Sequence, residues 1–159
     1  MNTSVKPVDT GVREEALVGN LEGLRGLGQE AFEDICAAVF KQSGFFVEPT
    51  GLGPGYGIDL ILATVGEGGY ADDWLAMRCL CTVGEVGEVE TKAFMEAMES
   101  EGFDRGIVVT TGSFEAGAVE AAAGHADLRL VDGLAFLEKL AGLSGEARRE
   151  VAAVAAEVA

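Results

Sequence analysis

Two carboxylates and one guanidinium form the pattern in this sequence that could do chemistry. Glu33 lies in a segment with helical periodicity, Asp59 begins a segment with strand character, and Arg78 and Leu80 lie two residues apart in the next such segment. Side chains two residues apart on a strand share a face, and in a hairpin that face can lie beside Asp59. A guanidinium has donors but no acceptor, so Arg78 is suited to pair with Asp59 or Glu33 as a countercharge.

Other catalytic arrangements are disfavoured by the residue types and their order. The glycine-rich segment 51–57 looks like a phosphate-binding loop, but such a loop must be followed by a helix, and here a strand follows. We therefore expect a tight turn with positive φ angles. His125 is the single histidine, which leaves no histidine-based triad, and we expect Thr110, Thr111 and Ser113 to form turns and caps.

The three cysteines indicate reduced thiols in a core and not a metal site. Cys79 and Cys81 form a C-x-C pair without a second pair, and Cys36 is distant in sequence. An odd number of cysteines in apolar surroundings is typical of a cytoplasmic protein. The N-terminal segment has no apolar stretch of the signal-peptide type, and no apolar run approaches the roughly 18 residues of a membrane span. We therefore expect a cytoplasmic protein without membrane association.

Hydrophobic periodicity predicts an α/β domain. The predicted helices cover residues 29–43, 88–101, 114–124, 134–142 and 144–158, with a weaker one near 17–27, and the predicted strands cover 45–50, 58–65, 74–82, 106–111 and 127–131. Gly44 is placed to end the first strong helix, and Ser113 and Ser144 are placed to begin later ones. The alternation of strands and helices in the second half favours a partly parallel sheet with helices on both faces.

Several short stretches together resemble a known family. They are Phe-Glu at 32–33, Ser-Gly-Phe at 43–45, Gly-Ile-Asp-Leu at 57–60, Met-Arg-Cys-Leu at 77–80, Gly-Ile-Val-Val-Thr-Thr-Gly at 106–112 and Leu-Val-Asp-Gly-Leu at 130–134. In this order and spacing the chain resembles the Mrr-type restriction endonuclease domain, a branch of the PD-(D/E)xK nuclease superfamily. The resemblance implies a restriction-endonuclease-like three-layer sandwich, with a central mixed β-sheet flanked by helices.

The chain departs from this family at the residues that carry catalysis. The family pattern Gly-Asp-x-Gly-x-Asp corresponds to residues 53–59, where Asp59 is kept and Tyr56 or a neighbour replaces the first acid. The pattern Gln-x-Lys or Glu-x-Lys falls on residues 78–80, so Leu80 occupies the lysine position and Arg78 the glutamine or glutamate position. No lysine lies between Lys41 and Lys92, so a small shift in alignment does not restore the motif.

The departures predict that cleavage is lost. In such nucleases, carboxylates and a strand carbonyl hold a divalent metal, and the metal and the lysine activate water and stabilise developing charge on the phosphate. Leu80 can neither donate a hydrogen bond nor carry charge. We therefore expect a vestigial site of Glu33, Asp59, Arg78 and Leu80, with Arg78 in the place of the metal and no cofactor. If a metal were bound, Asp59 and Glu33 would be its ligands.

Charge and composition favour a protein partner over DNA. The net charge is −16, and the 11 basic residues are scattered along the chain, whereas gripping a phosphate backbone requires several clustered cations. We expect a protein partner or a homo-oligomer. Near the C-terminus, Val151, Val154, Ala155 and Val158 form a stripe that either packs on the domain's own sheet or stays exposed for assembly.

The leading hypothesis is a catalytically inactive nuclease-like domain that acts as a protein-binding or assembly module. One alternative is an active metal-dependent DNA endonuclease that needs Mg²⁺ and uses a relocated residue such as Lys92. Another is an acidic regulator of a nucleic-acid enzyme. We expect a polar N-terminal arm over residues 1–20, the nuclease-like domain over 21–143 and a C-terminal helix over 144–159.

Overall fold

The computed structural model describes residues 18–50, 57–125 and 127–158. Residues 1–17 of the predicted N-terminal arm and residues 51–56 of the glycine-rich segment, including Tyr56, lie outside these ranges. The helices are α1 (Leu21–Leu27), α2 (Gln29–Gln42), α3 (Glu88–Ser100), α4 (Ala116–Ala123), α5 (Gly133–Ala141) and α6 (Gly145–Val158). The strands are β1 (Phe46–Pro49), β2 (Leu60–Val65), β3 (Ala71–Leu80), β4 (Glu85–Val86), β5 (Gly106–Thr110), β6 (Ser113–Phe114) and β7 (Leu128–Val131).

The central sheet is mixed, as the resemblance implies. Its five strands lie in the order β1-β2-β3-β5-β7. The pairs β1–β2 and β2–β3 are antiparallel, whereas β3–β5 and β5–β7 are parallel. A second, parallel pair of two-residue strands, β4 and β6, was not predicted from the sequence. The parallel strands β3 and β5 therefore end at the same edge of the sheet, next to the β4–β6 pair.

Two hydrophobic cores cover the two faces of the sheet. The core on the α2 side contains Phe32 and Phe136 from the helices and Met77 from β3. The core on the α3 side contains Phe94 and Met98 from α3, together with Ile58, Ala76 and Val108. Because successive strand residues point to opposite faces, Met77 and Ala76 enter different cores. The result is a three-layer α/β sandwich.

Helix α2 forms because its apolar residues recur at helical spacing. Phe32, Ile35 and Val39 are completely buried, and they lie on the one face that α2 presents to the sheet. Gly44, with φ of 99°, follows the helix as predicted, and its amide donates to the carbonyl of Lys41. A left-handed residue at this position favours glycine and ends the helix.

On the opposite face, α3 approaches the sheet closely at Gly106. A Cβ at this position would lie 2.5 Å from Sδ of Met98 and 2.8 Å from the ring of Phe94. An alanine here would require the side chains of Met98 and Phe94 to move, so the constraint at Gly106 comes from packing and not from the backbone angles.

The C-terminal helix α6 packs within the domain. Val151, Ala152 and Ala155 are buried, and α6 lies against α2. The predicted cap is confirmed, since Oγ of Ser144 accepts from the amide of Ala147 at 3.1 Å. Of the predicted stripe, Val151 and Ala155 therefore belong to the α2-side core, and Val154 packs against it.

Two further expectations are corrected by the structure. Ser113 does not cap α4, because it lies in β6, and Glu115 precedes that helix without a side-chain cap. Strand β3 begins at Ala71, three residues earlier than expected, after a short 3₁₀ turn at Glu67–Gly69. Within the described ranges, none of the helices is both long enough and apolar enough to cross a membrane.

The α2-side core predicts a large difference between two neighbouring residues of α5. Phe136 is fully buried and meets the ring of Phe32 edge to face, with 5.4 Å between the ring centroids. Phe136→Ala should lower the free energy of unfolding by about 3–5 kcal/mol, measured by urea denaturation. Leu134 is 68% exposed, so Leu134→Ala should change it by less than about 0.5 kcal/mol. Equal effects of the two substitutions would contradict this packing of α5.

Candidate functional site

Asp59 is held against the end of β3. Its backbone amide donates to the carbonyl of Met77 at 2.8 Å, and its Oδ2 accepts from the backbone amide of Cys79 at 2.8 Å. The β2–β3 register pairs Leu60 with Met77, so Asp59 lies just before the paired part of β2. Gly57 has φ of 83°, the left-handed angle expected where the glycine-rich segment turns into the strand.

Gln29, the first residue of α2, joins this helix to the same part of β3. Its Nε2 donates to the backbone carbonyl of Cys79 at 2.6 Å and to Oε2 of Glu33 at 2.8 Å. Its Oε1 accepts from the backbone amide of Cys81 at 2.8 Å. Both hydrogens of the amide and its oxygen therefore have partners. Glu33 lies one helical turn after Gln29, so one side-chain amide connects that carboxylate to the strand.

These contacts use both backbone groups of Cys79. Its N–H donates to Asp59, and its carbonyl accepts from Gln29. Cys79 is the central residue of the Arg78-Cys79-Leu80 segment, and its carbonyl is the strand carbonyl that lies beside the two retained carboxylates. The group that meets this carbonyl is the neutral NH₂ of Gln29.

Glu33 lies in an environment that disfavours its charged form. Partial burial raises the pKa of this carboxyl, the hydrogen bond from Gln29 lowers it, and nearby negative charges, first that of Asp59, raise it further. Glu33 and Asp59 are connected through Gln29 and Cys79, because Gln29 donates to Glu33 and to the Cys79 carbonyl while Asp59 accepts from the Cys79 amide.

Arg78 does not join the carboxylates. Met77 and Cys79 belong to the α2-side core, whereas Ala76 and Leu80 pack with the α3-side core, so strand alternation puts Arg78 on the α3 side as well. The described parts of the chain contain two ion pairs, Lys92–Glu88 and Arg105–Asp73. The prediction that Arg78 pairs with Asp59 or Glu33 is therefore wrong. Spacing along a strand fixes which side chains share a face but not which charged groups form a pair.

The other residues singled out from the sequence have structural roles. Thr111 exchanges hydrogen bonds with the backbone of Thr82, and Oγ1 of Thr110 accepts from the amide of Gly112. Nδ1 of His125 accepts from the amide of Asp127. Lys92 is mostly exposed and pairs with Glu88 at 2.7 Å. In the described ranges, no hydrogen bond or ion pair joins Lys92 to Asp59 or Glu33.

The cysteines are free, as expected, and two of them lie inside the domain. Cys36 and Cys79 are buried, and Cys81 is half-buried. Burial, together with the neighbouring Cys36, raises the pKa of the Cys79 thiol well above its ordinary value. A neutral thiol of this kind is a small apolar group of the core and a poor nucleophile.

The residues at this site do not fit a divalent metal. Within the described ranges, no group of three or more histidine, cysteine, aspartate or glutamate residues is arranged to hold one. Glu33 and Asp59 supply two carboxylates, but the third ligand that the fold offers, the Cys79 carbonyl, accepts a hydrogen bond from Gln29. Mg²⁺ requires oxygen lone pairs directed at it in near-octahedral geometry, and an amide NH₂ offers none.

A family model described as restriction endonuclease (Mrr_cat) matches residues 24–140, which is most of the chain. The chain belongs to the Mrr restriction endonuclease family. The resemblance found in the sequence is confirmed, and the matched range contains Gln29, Glu33, Asp59 and the segment 78–80 of this Mrr-family domain.

Solved structures confirm the restriction-endonuclease-like fold. The MspJI restriction endonuclease in complex with a 27-mer oligonucleotide is 20% identical, with a TM-score of 0.63 over 87% of this chain and 34% of that one. The DNA modification-dependent restriction endonuclease AspBHI is 16% identical, with a TM-score of 0.62 over 92% of this chain and 40% of that one. AF1548, a protein of unknown function, is 16% identical, with a TM-score of 0.53 over 80% of this chain and 96% of that one.

The Mrr-family chain thus spans between a third and two fifths of the two restriction endonucleases it resembles. A comparison with curated proteins found no match. Gln29 was missed in the sequence, although one signal was present: Gln29 and Glu33 have the i, i+4 spacing at which helix side chains meet.

The contacts of Gln29 predict a measurable loss of stability when its amide is removed. Gln29→Ala leaves the Cys79 carbonyl and the Cys81 amide without these partners, so the free energy of unfolding in urea should fall by about 1–3 kcal/mol. Gln42, an exposed residue at the other end of α2, is the matched control. Gln42→Ala should change stability by less than about 0.5 kcal/mol. If the two variants were equally stable, the bridging role of Gln29 would be refuted.

Proposed function

We propose that this Mrr-family chain is a catalytically inactive nuclease-like domain that acts as a protein-binding or assembly module. The observation that carries the proposal is the amide of Gln29, which donates to both the Cys79 carbonyl and Glu33. These are the groups that would have to turn their lone pairs to a metal ion. Without a metal, Glu33 and Asp59 lack the Lewis acid that such a nuclease uses to activate water.

The residue at the lysine position supports the same conclusion. Leu80 packs its side chain with the α3-side core, on the other face of β3 from Cys79. An alkyl side chain cannot stabilise charge that develops on a phosphate. Loss of the lysine and occupation of the metal position are separate changes, and either one alone would impair cleavage.

Charge supports a protein partner over DNA. The chain carries 27 acidic and 11 basic residues. Two of the described basic side chains, Lys92 and Arg105, form ion pairs with carboxylates of the same chain. Binding a phosphate backbone requires a cationic surface. A domain of this charge is better suited to a partner that carries basic groups.

An active metal-dependent endonuclease is the second candidate, and it is favoured by the closeness of Glu33 and Asp59. In that case a cation would displace Gln29 when DNA binds, and a relocated lysine such as Lys92 would assist. Lys92 would have to leave Glu88 to do so. The other alternative, an acidic regulator of a nucleic-acid enzyme, would also not cleave DNA. It differs from the proposed function in the kind of partner that the chain binds.

The deciding experiment is a DNA cleavage assay. The purified chain should show no Mg²⁺- or Mn²⁺-dependent cleavage of plasmid or modified DNA above the level of Asp59→Ala, because both preparations would contain only contaminating nuclease. Lys92→Ala and a substitution at a half-buried lysine of α5, Lys139→Ala, are assayed in parallel. Cleavage that is lost in Asp59→Ala would show an active enzyme. Cleavage lost in Lys92→Ala but kept in Lys139→Ala would also identify the relocated lysine.

A further inference from the structure

One part of the sheet face on the α3 side is not covered by any helix among the described residues. In register across the antiparallel strands, Phe46 of β1 lies opposite Ala63 of β2, and Ala63 lies opposite Trp74 of β3. Trp74 is two residues from Ala76, which belongs to the α3-side core, so these side chains share the α3 side of the sheet. Helix α3 itself packs against β5 and α4 and leaves this region open.

We call this region the Trp74 face and define it as Phe46, Glu48, Ile61, Trp74, Phe103 and Asp104. Trp74 is 48% exposed and Phe46 is 46% exposed. A cleft of about 410 Å³ is lined by Ile61, Trp74 and Phe103. Trp74 lies in the middle of β3, where a large aromatic side chain is normally covered, and Phe46 begins β1. An exposed group of aromatic side chains with a polar rim marks an interaction surface.

The rim of the Trp74 face is acidic. Glu48, Asp73 and Asp104 line the same cleft. Asp73 is paired with Arg105, whereas the side chains of Glu48 and Asp104 have no hydrogen bond or ion pair within the described parts of the chain. The face therefore combines an aromatic platform with two carboxylates that are available to a cation.

This chemistry selects among possible occupants. A second copy of the chain would bring the same carboxylates together in a two-fold contact, which like charges oppose. Nucleic acid would bring phosphates to the same carboxylates. A guanidinium fits both parts of the face, because it stacks on an indole ring and donates paired hydrogen bonds to carboxylates.

We propose that the Trp74 face docks an arginine-containing basic segment of a partner protein. An arginine side chain stacks on Trp74, and its guanidinium donates to Glu48 or Asp104. This inference rests on the proposed function, since it names the partner chemistry and the surface of the binding module. The face lies on the opposite side of the sheet from Gln29 and Glu33, so docking there does not involve the vestigial site.

The test uses a defined probe and the intrinsic fluorescence of the chain. Trp74 is the single tryptophan, so its emission reports directly on this face. The probe is a twelve-residue peptide of alternating arginine and glycine, and the comparison peptides carry lysine or glutamate in place of arginine. The arginine peptide should change the emission of Trp74 saturably, and the glutamate peptide should leave it unchanged.

Variants separate a specific site from attraction by the overall charge. The double variant Glu48→Gln with Asp104→Asn should bind the arginine peptide about fivefold more weakly. The control Glu138→Gln with Glu146→Gln removes the same charge from exposed positions on α5 and α6 and should change binding less than twofold. Trp74→Ala, measured by calorimetry and checked for an unchanged fold, should weaken binding by a similar factor of about five.

Three results would overturn the proposal. The first is equal weakening in the site and control variants, which would show binding by net charge alone. The second is a dimer in sedimentation that Trp74→Ala dissociates, which would assign the face to a second copy. The third is a saturable change of Trp74 emission with duplex DNA. DNA cleavage that depends on Asp59 would overturn the proposed function without affecting these outcomes, so the two failures can be distinguished.

Discussion

The amide of Gln29 is the contact that the candidate site depends on. It lies at the start of α2 and reaches β3 through the backbone of Cys79 and Cys81, while it also binds Glu33. Both N–H groups of this amide donate and its oxygen accepts, so these hydrogen bonds fix the first turn of α2 against the end of β3. The same helix buries Phe32, Ile35 and Val39 against the sheet. The position of α2 on the sheet is therefore fixed both by its buried apolar residues and by the hydrogen bonds of Gln29.

The electrostatics of the site centre on Glu33, whose hydrogen-bond donor is a neutral amide and not a cation. Burial raises the pKa of Glu33, the hydrogen bond from Gln29 lowers it, and the negative charge of Asp59 raises it again. A divalent ion would compensate the charge of both carboxylates, whereas the amide offers only the positive ends of its N–H dipoles. In the described parts of the chain, neither carboxylate forms an ion pair.

The sequence predicted what is local or periodic. The helix over residues 29–43, the strand over residues 106–111 and the Ser144 cap were all predicted correctly because each depends on residues close in the chain. The prediction that Glu33 and Asp59 share a site came from the family pattern and not from periodicity. What the sequence could not supply was the face on which Arg78 lies, since alternation fixes a relation between neighbours but not its direction.

Gln29 was missed for a related reason. Its bonds to Cys79 and Cys81 join residues 50 and 52 positions apart, and no pattern in a single sequence marks such a contact. The pair β4–β6 was missed because two-residue strands carry no periodic signal. Similarly, the α6 stripe could be read as surface or as core until its contact with α2 was known. In each case the missing information is the relative placement of elements distant in the chain.

The most direct test of this account compares Mn²⁺ binding by the unmodified chain and by Gln29→Glu in calorimetry. The substitution keeps an oxygen to accept from Cys81 but turns the NH₂ group into an oxygen that faces the Cys79 carbonyl and Glu33, an arrangement that a cation would stabilise. The account predicts no stoichiometric Mn²⁺ binding by the unmodified chain at millimolar metal, and binding of one Mn²⁺ by Gln29→Glu. One Mn²⁺ bound by the unmodified chain and lost in Asp59→Ala would contradict it.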